Sequence, residues 1–138
     1  MTEPSDPIHA ILTGTRRIAV VGVSNKPDRA SNAVLRFLVQ RRFEVVGVNP
    51  GLAGQTIHGV PVVASLEEAG PLDMVDVFRA SDLVGPVVDD AIRLGARTVW
   101  MQLGVINPEA ADRARAAGLA VVMDRCPIIE WRRLGLPT

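Results

Sequence analysis

Short apolar runs rich in β-branched residues recur along this chain, and between most of them apolar residues return at helical spacing. Ile18 to Val23 (IAVVGV) is continuous and apolar, as a strand covered on both faces must be. Ala30, Ala33, Val34, Phe37 and Leu38 follow at i, i+3, i+4, i+7 and i+8, the spacing of one helix face. Phe43 to Val48 is a second strand, closed by Asn49-Pro50-Gly51. Asp73 to Arg79, Thr98 to Leu103 and Leu119 to Met123 are three more, and Val60 to Val63 reads as a short one. Val84, Val87, Val88, Ala91 and Ile92 repeat the helical spacing. Ser65 caps a brief helix carrying Glu67 and Glu68, and Ser81 or Asp82 caps the helix that ends at Gly95. Asn107-Pro108-Glu109 is a helix start with cap, first-position Pro and early acid. Pro127 to Leu134 suggests a last short helix.

Strands alternating with helices of this length require right-handed crossovers and a parallel sheet. The expected fold is α/β, a Rossmann-like, doubly wound and mostly parallel sheet with helices on both faces. The length, 138 residues, suits one domain over 1–138 with its core at about 15–134. With 48% hydrophobic residues the chain can bury a core without disulfide or metal staples. Lys plus Arg equals Asp plus Glu, so the basic excess of a nucleic-acid binder is missing. No apolar run approaches the roughly 20 residues of a membrane span, and Met1 to Ala10 is polar and Pro-rich, unlike a secretion leader. The expected location is cytoplasmic. The lone Cys126 has no partner for a disulfide and reads as a small buried thiol.

In such sheets ligands bind outside the carboxyl ends of the strands, so the residues after each strand carry the functional reading. The first strand runs into Gly22-Val23-Ser24-Asn25-Lys26-Pro27-Asp28-Arg29-Ala30-Ser31. Gly22 permits a tight turn, helix-start N–H groups can meet a phosphate, and Ser24, Asn25, Ser31, Lys26 and Arg29 add donors and charge. The competing reading is a solvated loop with Asp28 or Ser31 as N-cap; the anion site is preferred on position. The dinucleotide fingerprint G-x-G-x-x-G is absent beyond its first Gly, and Asn49 stands where a ribose-binding acid is expected. A ligand with a phosphate on its ribose would repel an acid there and tolerate Asn.

Phe78 can pack on a flat group and Arg79 can pair with a phosphate; a rim aromatic and a surface Arg are an equal reading. Gln102-Leu103-Gly104 ends the next strand, where Gly104 serves either close ligand approach or a turn. Asp76 lies inside an apolar strand, and a structural hydrogen-bonding role is favoured over catalysis. Asp89 and Arg93 read as a helix-surface pair, and Trp100 and Met101 as core. His9 and His58 have no triad or metal-ligand companions. No P-loop, H-E-x-x-H, G-x-S-x-G or C-x-x-C motif occurs.

IAVVGVSNKPDRAS (Ile18 to Ser31), VVGVNP (Val45 to Pro50), DMVDVFR (Asp73 to Arg79), GARTVWMQLG (Gly95 to Gly104) and VVMDRCPIIE (Val121 to Glu130) occur in this order. Together they resemble the small stand-alone CoA-binding domains of the YccU-like family, similar to the N-terminal CoA-binding domain of the succinyl-CoA synthetase α subunit. The resemblance implies a nucleotide-binding domain that holds coenzyme A or an acyl-CoA. It puts Ser24, Asn25, Lys26, Arg29 and Ser31 toward the phosphates. Asn49 and Pro50 would line the nucleotide. Val77, Phe78 and Arg79 would flank the adenine or the start of the pantetheine arm, with Gln102, Leu103 and Gly104 near that arm. The chain departs from the family in having Gly51 and Gln55 where a basic residue is common. The phosphohistidine-bearing domain of the larger ligases is also missing.

Three functions stay open at this level. The leading one is a CoA-binding protein without catalysis of its own. The others are an NAD(P)-binding oxidoreductase, and an interaction subunit of a separately encoded acyl-CoA ligase. The partners expected are a small-molecule CoA ligand, no nucleic acid, no membrane, and a protein partner of unspecified kind. The segment Asp124-Arg125-Cys126 is read as a salt pair anchoring the last helix.

Overall fold

A computed structural model describes residues 6–137; Met1 to Ser5, the first half of the polar start, lie outside them. The strands are β1 (Arg17–Val21), β2 (Glu44–Val48), β3 (Thr56–Ile57), β4 (Val60–Val63), β5 (Met74–Val77), β6 (Thr98–Met101) and β7 (Ala120–Val122). The helices are α1 (Pro7–Gly14), α2 (Ala30–Gln40), α3 (Leu66–Ala69), α4 (Val84–Arg93), α5 (Pro108–Ala116) and α6 (Pro127–Arg133). Short 3-10 turns cover Pro50–Leu52 and Ser81–Leu83.

The sheet order is β3-β4-β2-β1-β5-β6-β7, all parallel except the β3–β4 hairpin at one edge. The chain therefore steps outward from β1 through β2 to β4, crosses back over β1 to β5, and steps outward the other way to β7. This is the doubly wound Rossmann order, with its reversal between β1 and β5.

Alternation along the strands explains the continuous apolar runs. Ala19, Val21, Val75, Val77, Val99 and Met101 face a layer completed by α3, α4 and α5. Ile18, Val20, Met74 and Trp100 face the opposite layer, completed by α1, α2 and α6. Trp100 and Met101 are core, as expected, one in each layer. At the amino end of the sheet, the Asp73 carboxylate accepts the backbone N–H groups of Arg16 and Arg17, each at 3.0 Å, which holds its carboxyl below the usual range.

Several local expectations change. α1, which is not among the expected helices, takes up part of the polar, Pro-rich start: Asp6 caps it by accepting the Ile8 N–H at 2.9 Å, and Pro7 takes its first position. Neither Ser81 nor Asp82 caps α4, because both lie in the preceding 3-10 turn. Arg93 pairs with Glu67 and Asp90, while Asp89 pairs with Arg113 on α5. Asp76 has no hydrogen bond to either carboxylate oxygen among the described residues, although it is fully buried. Its expected structural bond is absent, and burial pushes its carboxyl well above the usual range.

Candidate functional site

The reversal of strand order opens a crevice, and Gly22 determines how narrow it is. Its N–H donates to the Val48 carbonyl at 2.9 Å and its φ is 86°. Directly across, the Phe78 N–H donates to the Val21 carbonyl at 2.8 Å. A β-carbon on Gly22 would meet the Phe78 carbonyl carbon at 3.0 Å and its oxygen closer still. The glycine thus answers two demands, left-handed backbone and close approach of two chains.

A cleft of about 390 Å³ lies at this point. One wall is Gly22, Ser24, Lys26, Arg29, Ala30 and Ser31, from the loop after β1 and the start of α2. The other is Phe78, Gln102, Leu103 and Val105, from the ends of β5 and β6.

The first wall is stiffened from within. Ser31 does not cap α2, and neither does Asp28: the N-cap position is Arg29, and no side chain bonds there. The Ser31 hydroxyl instead accepts the Ser24 N–H at 3.0 Å, and the Ser24 hydroxyl accepts the Lys26 N–H at 3.1 Å. Asn32 donates to the Ser24 carbonyl at 3.0 Å, and His58 Nε2 lies 2.8 Å from Asn32 Oδ1. The first N–H groups of α2 thus have no side-chain cap, and residues Ala30 and Ser31 line the cleft. No acidic side chain among the described residues forms an ion pair with Lys26 or Arg29.

The second wall is mixed. Gln102 is buried at 5% exposure, and its Oε1 has no hydrogen-bond partner among the described residues. Leu103 is exposed and apolar. The Gly104 N–H donates to Asp124 Oδ1 at 2.7 Å, with positive φ at both residues. Arg125 donates its N–H to the Met101 carbonyl and accepts from Trp100 Nε1 through its own carbonyl. The Asp124 side chain and the Arg125 backbone therefore brace the end of β6 and its loop, in place of the salt pair expected of the Asp124-Arg125-Cys126 segment.

The other expected residues lie outside the cleft lining. The Asn49 side chain is engaged twice: its amide donates to the Val23 carbonyl at 2.8 Å, and its oxygen accepts the Gly51 N–H at 2.9 Å. Pro50 opens the 3-10 turn, Asn25 is exposed in the β1 loop, and Arg79 follows Phe78. The Val77 side chain is fully buried in the layer of α3, α4 and α5, so a ligand reaches only its backbone. Sequence reasoning misses Ala30, Val105, Asn32, His58 and the role of Asp124. Asn32, a polar residue in an apolar helix pattern, is the one that carries a visible signal.

The twofold engagement of Asn49 makes a prediction. Asn49→Asp removes the donor to the Val23 carbonyl and sets a carboxylate against it. Urea unfolding is expected to show a loss of about 1–3 kcal/mol, and NADH titration no gain in binding. Unchanged stability would show that Asn49 is not a strut.

Among the described residues, no group of three or more His, Cys, Asp and Glu is arranged to hold a metal, and no helix is long and apolar enough to cross a membrane. Residues 16–132 match the family model described as CoA binding domain. The chain belongs to this CoA binding domain family. The uncharacterized protein YneT of Bacillus subtilis strain 168 is 38% identical over 120 residues, 86% of this chain and 87% of that protein. Two solved structures are also similar to this CoA binding domain chain. One, from Thermus thermophilus, is 34% identical with a TM-score of 0.87, covering 92% of this chain and 96% of its own. The other, a hypothetical protein from Pyrococcus horikoshii OT3, is 34% identical with a TM-score of 0.86, covering 96% and 99%.

Proposed function

We propose that this chain is a CoA-binding protein whose cleft takes CoA or an acyl-CoA and carries out no chemistry of its own. The observation that carries the reading is the contrast between the two walls of the cleft. One wall offers Lys26, Arg29 and the uncapped start of α2, all suited to phosphate. The other offers Phe78, Leu103 and Gln102, whose buried Oε1 has no hydrogen-bond partner among the described residues. CoA presents phosphates first and an uncharged arm with amide N–H groups next, so the residues present fit it. Phe78 gives the arm or a flat base an apolar face. A ligand longer than the cleft runs on past the strand ends, where Asn25, Asn49, Pro50, Arg79 and Gly104 stand. No acid ends β2, which favours a ligand with a phosphorylated ribose over NAD.

Calorimetric titration tests this. CoA is expected to bind, 3′-dephospho-CoA more weakly and NAD not at all. Lys26→Ala and Arg29→Ala are each expected to weaken CoA binding about tenfold, with steeper loss at high salt in the parent than in the variants. Equal affinity for CoA and its dephosphorylated form would remove the ribose phosphate from the recognised groups. Binding of NAD and not CoA would favour an oxidoreductase instead.

A further inference from the structure

A CoA molecule in the cleft leaves one surface beside it unused, and any role for that surface rests on the CoA reading. Leu83, Leu103 and Ile106 are each about half exposed, at 51%, 54% and 48%. Single exposed apolar residues are ordinary, but these three belong to one corner. Ser81 joins their two segments: its hydroxyl accepts the Ile106 N–H at 2.9 Å and lies 3.4 Å from the Gly104 carbonyl, and its own carbonyl accepts from the Asn107 side chain at 2.9 Å. The turn carrying Leu83 is thus fastened to the loop carrying Leu103 and Ile106, and Asp124 holds that loop from below at Gly104. The apolar corner is a fixed surface, and it is continuous with the cleft because Leu103 belongs to both.

The contrast between the two walls of the cleft suggests what would lie there: cations on one, Phe78, Gln102 and Leu103 on the other. If phosphate sits at Lys26 and Arg29 and the arm runs along Phe78 and Gln102, the thiol end of CoA would emerge beside Leu103, the exposed member of that wall. Free CoA would leave the corner facing water. We infer that Leu83, Leu103 and Ile106 form a seat for the apolar acyl chain of a CoA thioester, so that the ligand class is medium-chain acyl-CoA in preference to CoA itself. The three side chains are half exposed, so the seat offers a small apolar surface and selects for apolar character.

Calorimetry with CoA, acetyl-CoA and octanoyl-CoA, on the full chain and on a Leu83→Ser/Ile106→Ser variant, tests the seat. Octanoyl-CoA is expected to bind about tenfold tighter than CoA, with acetyl-CoA close to CoA. In the variant that advantage is expected to fall to about twofold or less, with CoA affinity unchanged. Equal binding of CoA and octanoyl-CoA by the parent would overturn the seat and leave the CoA reading standing. Binding of neither would overturn the CoA reading, and the seat with it. An octanoyl preference that survives in the variant would place the chain elsewhere. Sedimentation of both proteins covers the remaining case: a parent dimer dissociated by the double substitution, with no octanoyl preference, would make the corner an interface between copies of this chain and refute the proposal.

Discussion

Gly22→Ala is expected to cost about 3 kcal/mol of stability and to abolish ligand binding in the protein that still folds. Two independent penalties combine. An L-residue at φ 86° is strained by about 1–3 kcal/mol. The new methyl group also collides with the Phe78 carbonyl, and that carbonyl belongs to backbone at the end of the strand hydrogen-bonded to β1. A flexible side chain would swing away; here β5 must shift relative to β1, at an overpacking cost of about 1–3 kcal/mol. The opposing gain from a stiffer unfolded chain is smaller, at about 0.4–1 kcal/mol. Urea unfolding gives the stability, and CoA calorimetry on the folded fraction gives the binding. A variant as stable as the parent would mean that the two strand ends are not held at the separation described.

Asp76 leads to an expected gain. Its register partners are Val20 and Trp100, and it shares the face of Met74 against α1, α2 and α6. No group among the described residues bonds its carboxyl. Asp76→Val, which fills the position with an apolar β-branched side chain, is expected to stabilise the protein by about 1–3 kcal/mol near neutral pH, the usual cost of an unsatisfied buried polar group. The pH dependence gives an independent check. The folded carboxyl titrates well above its unfolded value. Below the ordinary carboxylate range both states hold the proton, and no ionisation penalty exists. Above that range the unfolded chain releases it and the folded chain does not, so stability drains away as pH rises toward the folded value. Asp6 and Asp73, whose carboxyls are lowered, act in the opposite sense: their contribution is lost as pH falls. The stability difference between Asp76→Val and parent is therefore expected to be larger at about pH 8 than at about pH 4. A constant difference would show that Asp76 is ionised in the folded state with a partner of its own.

What the sequence makes legible divides along a physical line. β1, β2, β4, β5, β6 and β7 can be read because each is mainly apolar and bounded by Gly, Pro, Asn or charged residues. Their order then places Gly22, Ser24, Lys26, Arg29, Ser31, Phe78, Gln102 and Leu103 at one end of the sheet, and all of them line the cleft. β3 is two residues long and exists through its hairpin with β4, so it has no periodicity to detect. α1 has its signals, with Asp6 and Pro7 at its start and Ile8, Ile11 and Leu12 at helical spacing, but the polar, Pro-rich residues around it obscure them. The His58–Asn32 contact joins residues 26 apart, and Asp124 reaches Gly104 across 20. Such pairs arise from strand order, and no local pattern announces them. Asp76 misleads for a different reason: buried polar groups are usually bonded, and this one is not.

The reversal between β1 and β5 also has a consequence for how the molecule is assembled. Arg17 and Asp73, which join the two strands at their starts, stand 56 residues apart in the chain. Pairing them requires a long loop to close, and non-local closures of this kind are the slow events of folding. A chain emerging from the ribosome as far as β4 already contains Ser24, Lys26, Arg29 and Ser31, yet the wall that faces them has not been made. On the proposed reading, a ligand of the cleft would have both walls only once the two halves of the sheet have joined, and would then act on the finished fold by mass action, as a late stabiliser.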